Sequence, residues 1–238
     1  MHQSYGYVFQ RMDLPAQPVI QASLDNVIST MRSTRIGHEK QNVSVTLIEH
    51  VLAALRGMDV DNCLIQVKGP EVPILDGSAL PFCEAIEEAG GTVETEEDRV
   101  TIALGSNTSR PLEISVDVDF TSWSRAIGVQ LAHTKLEDPW RFIRDVAPAR
   151  TFALLDEIQE LQRIGILQGV RPDNTIMISA EPLEGMRFEN EIARHKLLDV
   201  IGDLALLGKP IVGTHLHFEK PGHTTNIAWC KRLFAAVR

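Results

Sequence analysis

Cysteine is scarce in this chain of 238 residues: Cys63, Cys83 and Cys230 are the whole complement, with no Cys-x-x-Cys and no paired spacing. An odd, scattered set argues against a disulfide framework and for reduced thiols in a cytoplasm-like compartment. Cys63 lies in an apolar run and Cys83 in a helical pattern, so packing accounts for them. Long apolar runs are missing as well, and none approaches the ~20 residues of a membrane-spanning helix. The first residues include Gln3, Gln10, Arg11 and Asp13 and lack the continuous apolar core of a secretory signal. Positive charge is also in deficit. A net charge of −9 argues against a nucleic-acid binder, whose affinity rests on clustered Lys and Arg, but leaves room for a small anionic ligand held by local basic residues. There is no low-complexity segment and no clear repeat. What remains is a composition ordinary for a globular protein, 44% hydrophobic and 23% charged, with enough chain for one large domain or two small ones.

Helices and strands alternate irregularly along the chain. Apolar residues at helical spacing run from Thr46 to Leu55 and stop at Gly57. Cys63 to Val67 reads as a short strand. Gly69 to Ser78 is a loop with a turn at Asp76-Gly77. A helix follows over Pro81 to Ala89, closed by Gly90-Gly91, and the acidic connection Glu94 to Asp98 marks a domain boundary. Leu112, Ile114, Val116, Val118 and Phe120 alternate in period two, which predicts a strand with one buried face, and Ala126 to Ala132 can pair with it. Helical periodicity returns at Leu154, Leu155, Ile158 and Leu161 and ends at Gly165. Beyond it come a strand over Thr175 to Ile178, a long helix over Glu189 to Leu207, a strand over Ile211 to Phe218 and a last helix over Thr224 to Val237. The expected fold is α+β, divided into 1–97 and 98–238.

Four groups of residues have chemical potential. Glu49-His50 sits near a helix start, although Thr46-Leu47-Ile48-Glu49 also fits a capping box, which alone favours a structural role for Glu49. His195, Asp199 and Asp203 are spaced four apart, so a helix puts them on one stripe, with Gly202 beside them leaving room for a ligand. Taken alone, that stripe reads more simply as the wet face of an amphipathic helix whose other side carries Ala193, Leu197, Val200, Ile201 and Leu204. His223 follows Gly222 in a turn. Thr151, in Ala149-Arg150-Thr151-Phe152, is placed as an N-cap or as a donor to an oxyanion. His215 and His217 share a strand face with no carboxylate or cysteine at ligand spacing. Together the four groups supply two histidines and an aspartate for a metal with one position open, a spare glutamate as base and a spare histidine as acid. That is a kit for metal-assisted hydrolysis.

Several of these segments occur in an order that resembles one family. The run Ile48 to Gly57, then Asp61-Asn62, the loop Gly69 to Ser78, Ala149 to Phe152, Met186 to Glu189, His195 through Asp203, Gly222-His223 and Asn226 strongly resemble the UDP-3-O-acyl-N-acetylglucosamine deacetylases of lipid A synthesis. The resemblance implies a fold of two similar two-layer domains, each a sheet backed by helices, with the active site between them. It implies one Zn2+ per chain on His50, His195 and Asp199, a set that also suits Fe2+. Glu49 becomes the general base, Thr151 an oxyanion donor, and His223, oriented by Asp203, the acid for the leaving amine. Lys196 and Phe152 contact the acylated UDP-sugar, Lys196 near its phosphates, and the stretch from Gly165 to Phe188 matches the acyl-chain passage.

The sequence departs from the family in places. The family carries about forty further residues at its start, so the first domain is expected to be incomplete. The stretch from Glu94 to Val146 is short and matches poorly, with no clear counterpart for a basic substrate contact, and one extra residue falls between Asp203 and His223. These departures leave two alternatives beside the deacetylase: a zinc amidase for another N-acetyl sugar, and a non-catalytic or truncated relative that binds zinc or ligand without turnover.

Overall fold

The computed structural model describes residues 6–88, 92–94, 99–101, 111–122, 124, 127–163, 169–179 and 183–236. Gly90-Gly91, residues 95–98, Ala126, Gly165 and Val237, on which some expectations fall, lie outside them. The first half holds β1 (Tyr7–Arg11), β2 (Val19–Gln21), β3 (Val27–Ser29), β4 (Arg35–His38), β5 (Val43–Val45), α1 (Glu49–Gly57), β6 (Cys63–Val67), α2 (Leu80–Glu87), β7 (Thr92–Glu94) and β8 (Arg99–Thr101). The second holds β9 (Leu112–Asp119), β10 (Val129–Leu136), α3 (Pro139–Asp145), β11 (Phe152–Leu154), α4 (Leu155–Arg163), β12 (Ile176–Ile178), α5 (Glu191–Ala205), β13 (Thr214–Glu219) and α6 (His223–Ala236). The fold is α+β, as expected.

A five-stranded sheet in the order β2-β1-β6-β8-β7 and an antiparallel β3-β4-β5 sheet belong to the first half. Pairing of β8 with β6 and β7 carries the first sheet to Thr101, past position 97. The second half contributes a β10-β9-β13 sheet and a parallel β11-β12 pair. Alternation in β9 does what its period predicts: Leu112, Ile114, Val116 and Val118 are buried while the residues between them face outward.

Helices α1 and α5 lie at the centre, and their sequences explain why. Val51 through Leu55 are wholly buried, so this stretch of α1 is apolar on every side because it meets protein on every side. One continuous core joins Phe9 and Ile65 of the first sheet to Leu52 of α1, Leu197 and Ile201 of α5, and Ile114 of β9. The two helices approach closely at Gly202, where a Cβ would lie 2.1 Å from the Glu49 carbonyl oxygen. Gly57 ends α1, as expected, and packing adds a second reason for glycine there. A Cβ there would fall 2.3 Å from the Phe142 ring.

Helix α1 starts at Glu49, two residues later than the capping box requires, with Ile48 as N-cap and no side-chain cap. Thr46 bridges instead to Glu71 and faces Ser33 at 3.0 Å, so the cap reading of Glu49 is corrected. Thr151 is likewise no helix cap, because β11 intervenes before α4.

Candidate metal centre

Burial of α5 against α1 changes the meaning of the His195, Asp199 and Asp203 stripe. It is no wet face: all three are buried, and the stripe points into the junction with α1. There His50, His195 and Asp199, each 2% exposed, bring one ligand atom apiece to within 4.8 Å of one another. His50 comes from the first half and the other two from the second.

The protonation and hydrogen bonding of these groups fit a cation. Burial, followed by the neighbouring His195, pushes His50 down to about 3, and burial also lowers His195, so both rings are neutral near pH 7 and carry a free lone pair. Nδ1 of His195 lies 3.1 Å from the Ala149 carbonyl, which accepts a hydrogen bond from it and leaves Nε2 free to meet a metal. Asp199 stays ionised: burial opposes its charge, but the Lys196 ammonium and the cationic His223 outweigh it. Nδ1 of His50 and Oδ1 of Asp199 are buried without a hydrogen-bond partner. Orphaned buried acceptors of this kind are costly unless something binds them, and a two-histidine, one-carboxylate set suits zinc or iron(II).

Two titratable groups flank the set. Glu49 is buried, its Oε2 accepts the Thr34 N–H at 3.1 Å, and Oε1 lies 3.7 Å from Nε2 of His223. Burial raises Glu49 to about 7, with His223 pulling down and Asp199 and Asp203 pushing up. His223 behaves oppositely. Burial opposes its charge, but Asp203, Asp199 and Glu49 outweigh it and hold it up at about 10. Its Nδ1 is 3.0 Å from Oδ2 of Asp203, which also accepts from Nδ2 of Asn226 at 2.9 Å, so Nε2 faces Glu49 and Asp199. A carboxylate that titrates near neutrality beside a cationic imidazole is an ordered base and acid pair.

The cluster opens into a cleft of about 640 Å³ lined also by Leu47, Phe120, Thr151, Phe152, Lys196 and Lys220. Phe152 meets the His195 ring edge-on at 6.0 Å between centroids, and Lys196 lies 5.2 Å from the Phe152 ring centre with its ammonium 2.7 Å from Oδ2 of Asp199. Leu47 lies in the left-handed region at φ 61°, a strained conformation for a branched side chain, at the turn into α1. A second cavity of about 430 Å³, at the other end of α5 beside Leu204 and Ala205, contains none of these groups.

The Gly69–Ser78 loop supports Thr151. The Thr151 N–H donates to the Gly77 carbonyl at 2.7 Å, and Gly77, at φ 82°, leaves no room for a Cβ, which would sit 1.7 Å from the Asn174 carbonyl oxygen. Oδ2 of Asp76 holds Arg187 at 2.9 Å. Two supporting residues carry no readable signal in the sequence. Glu191 is fully buried and accepts from the Arg150 N–H at 2.9 Å and the Arg150 Nε at 3.0 Å, fixing the segment before β11 that presents the Ala149 carbonyl to His195. Thr34 touches both Glu49 and Asp203. Glu191 looks like an ordinary first-turn acid and Thr34 like any threonine beside a strand.

Fold and site together define an α+β protein with a buried candidate metal centre shared by its two halves. Comparison with known proteins narrows the class. Residues 1–235 match the family model of the UDP-3-O-acyl N-acetylglycosamine deacetylases, and the chain belongs to that family. It is 40% identical to the UDP-3-O-acyl-N-acetylglucosamine deacetylase of an Anaeromyxobacter species, over 97% of this chain and 78% of the relative. It is 37% identical to the protein of the same name from Citrifermentans bemidjiense, over 93% of this chain and 75% of the relative. It is also 35% identical to the bifunctional enzyme LpxC/FabZ of Chlorobaculum tepidum, over 96% of this chain but 57% of that longer protein.

Proposed function

We propose that the chain hydrolyses the acetamide of UDP-3-O-acyl-N-acetylglucosamine, releasing acetate in the lipid A pathway, with one zinc ion held by His50, His195 and Asp199. The observation that carries this reading is the junction of that ligand set with the Glu49 and His223 pair in a cleft, in a chain whose relatives bear the deacetylase name. A zinc ion in such a set acidifies water and polarises an acyl oxygen. Glu49 then serves as general base. With Oε2 tied to the Thr34 N–H, Oε1 is the atom left to take a proton from the attacking water. Thr151, on the cleft wall, donates to the oxyanion as the carbonyl becomes tetrahedral. His223, charged and oriented by Asp203, stabilises that charge and passes its Nε2 proton to the departing nitrogen. Water is consumed, the C–N bond breaks, and acetate and the free amine leave.

Lys196 and Lys220 line the cleft, paired with Asp199 at 2.7 Å and with Asp119 at 3.1 Å, and they are the cations that a diphosphate-bearing substrate would engage. Phe152 and Phe120, in edge-to-face contact at 5.4 Å, give it an apolar wall for the acyl group. Among the described residues no helix is long and apolar enough to cross a membrane. The three buried free thiols suit a reducing compartment, and we place the chain in the cytoplasm. We also place the division between its two domains after Thr101. The test is metal content and acetate release together. Purified chain reconstituted with zinc or iron(II) is expected to bind one ion and to turn over the acylated UDP-sugar. Turnover that does not depend on the ion overturns the reading.

A further inference from the structure

We propose that Thr34 is a positioning residue that locks the base and the acid of the site into one unit. The inference rests on the deacetylase reading above and extends it to a residue outside the ligand set and the base and acid pair. Thr34 immediately precedes β4, is fully buried, and turns all three of its polar groups toward the site. Its N–H donates to Oε2 of Glu49 at 3.1 Å. Its hydroxyl donates to Oδ1 of Asp203 at 2.6 Å and lies 3.3 Å from Nδ1 of His223. Its carbonyl accepts the Ile48 N–H at 3.5 Å, at the turn into α1.

The arithmetic of acceptors gives the hydroxyl its importance. Oδ2 of Asp203 is engaged by His223 and Asn226, whereas the donor to Oδ1 is Thr34. Without it a buried carboxylate has one oxygen unsatisfied and is held through Oδ2 alone, so it can pivot there and shift the His223 ring. The Thr34 N–H fixes the Glu49 carboxylate at the same time, so a single residue sets the separation of base and acid. Serine preserves this arrangement. Valine matches threonine in shape but cannot donate, and it leaves the N–H to Glu49 in place.

The test compares zinc-loaded wild type, Thr34→Ser, Thr34→Val and Thr34→Ala, with kcat expressed per bound ion and KM measured separately. Thr34→Val is expected to lower kcat by about 10- to 100-fold, the scale of losing a hydrogen bond to a charged buried group. KM and the single bound ion are expected to be unchanged, and Thr34→Ser to recover kcat to within about threefold of wild type on the same scale. If Thr34→Val does not fold, Thr34→Ala, which removes the hydroxyl without the branched methyls, must show the same kcat-specific loss. A hydroxyl-free variant that folds and turns over at the wild-type rate per bound ion overturns the proposal, as does a loss that Thr34→Ser shares fully. A wild type that binds zinc but releases no acetate overturns the deacetylase reading instead, so the two failures are distinguishable.

Discussion

Two groups of histidines and carboxylates in this molecule use the same residue types to opposite ends. At the junction of α1 and α5, His50, His195 and His223 meet Glu49, Asp199 and Asp203, and all six are buried. On the outer face of the β10-β9-β13 sheet, His133, His215 and His217 meet Glu113, Ser115 and Asp117. Nε2 of His217 is 2.8 Å from Asp117 and that of His215 is 2.6 Å from the Ser115 hydroxyl. The neighbouring strand thus supplies the carboxylates that spacing along β13 does not show. Yet the His133 and His217 side chains are 54% and 49% exposed, and among the described residues the one set of atoms close enough for a shared ion is His50, His195 and Asp199. Proximity of the right residue types is common to both places. Burial distinguishes them: it keeps His50 and His195 neutral, lifts Glu49 to about 7, and strengthens each charge that remains.

The largest effect that can break this contrast comes from the proposed ligand set. Asp199→Ala is expected to lose the bound ion and reduce acetate release by at least about 1000-fold, since removing a metal ligand removes the Lewis acid outright. Metal analysis and turnover on the same sample check it, and retention of both would place the ion elsewhere. Next is the frame behind the ligands. Glu191→Ala leaves the Arg150 guanidinium without its buried carboxylate and is expected to cost about 3 kcal/mol of stability. For a chain of this size that lowers Tm by roughly 6–12 °C in a melting curve.

A smaller and graded effect is the pH dependence of kcat/KM. As the proposed base, Glu49 would act only when deprotonated, so activity is expected to fall about tenfold per unit as pH drops below its pKa, at or below about 7. As the proposed acid, His223 would act only when protonated, so activity is expected to fall again above its pKa, at or below about 10. A bound cation favours the Glu49 carboxylate and the neutral imidazole, so loading moves both limbs toward lower pH. A profile that does not fall above pH 10 would remove His223 from the mechanism, and one with no acid limb would remove Glu49. The smallest effect belongs to the exposed face. His217→Ala, on the outer sheet, is expected to change stability by no more than about 0.5 kcal/mol and to leave turnover intact.

Parts of this contrast are legible in the sequence. The period-two run of β9 and the four-residue spacing of His195, Asp199 and Asp203 both predict geometry that the structure contains, because each depends only on the local period of the backbone. Burial of the stripe is not local. Apolar residues on one side of α5 say that something covers that side, and only the tertiary approach at Gly202 shows that the polar side is covered too. Glu49 invites the opposite error, since a capping box is a local pattern and the helix in fact begins at Glu49 itself. Thr34 and Glu191 have no pattern at all. Their roles come from partners 169 and 41 positions away. Three-residue strands such as β3, β5 and β7 are too short for alternation to register.

The most direct test of the central claim is acetate release from UDP-3-O-acyl-N-acetylglucosamine by Glu49→Ala beside wild type, with the bound ion counted in both. The buried base predicts a fall in kcat on the order of 100- to 10,000-fold while each chain keeps its ion. A Glu49→Ala protein that keeps its ion and releases acetate at the wild-type rate would contradict the account.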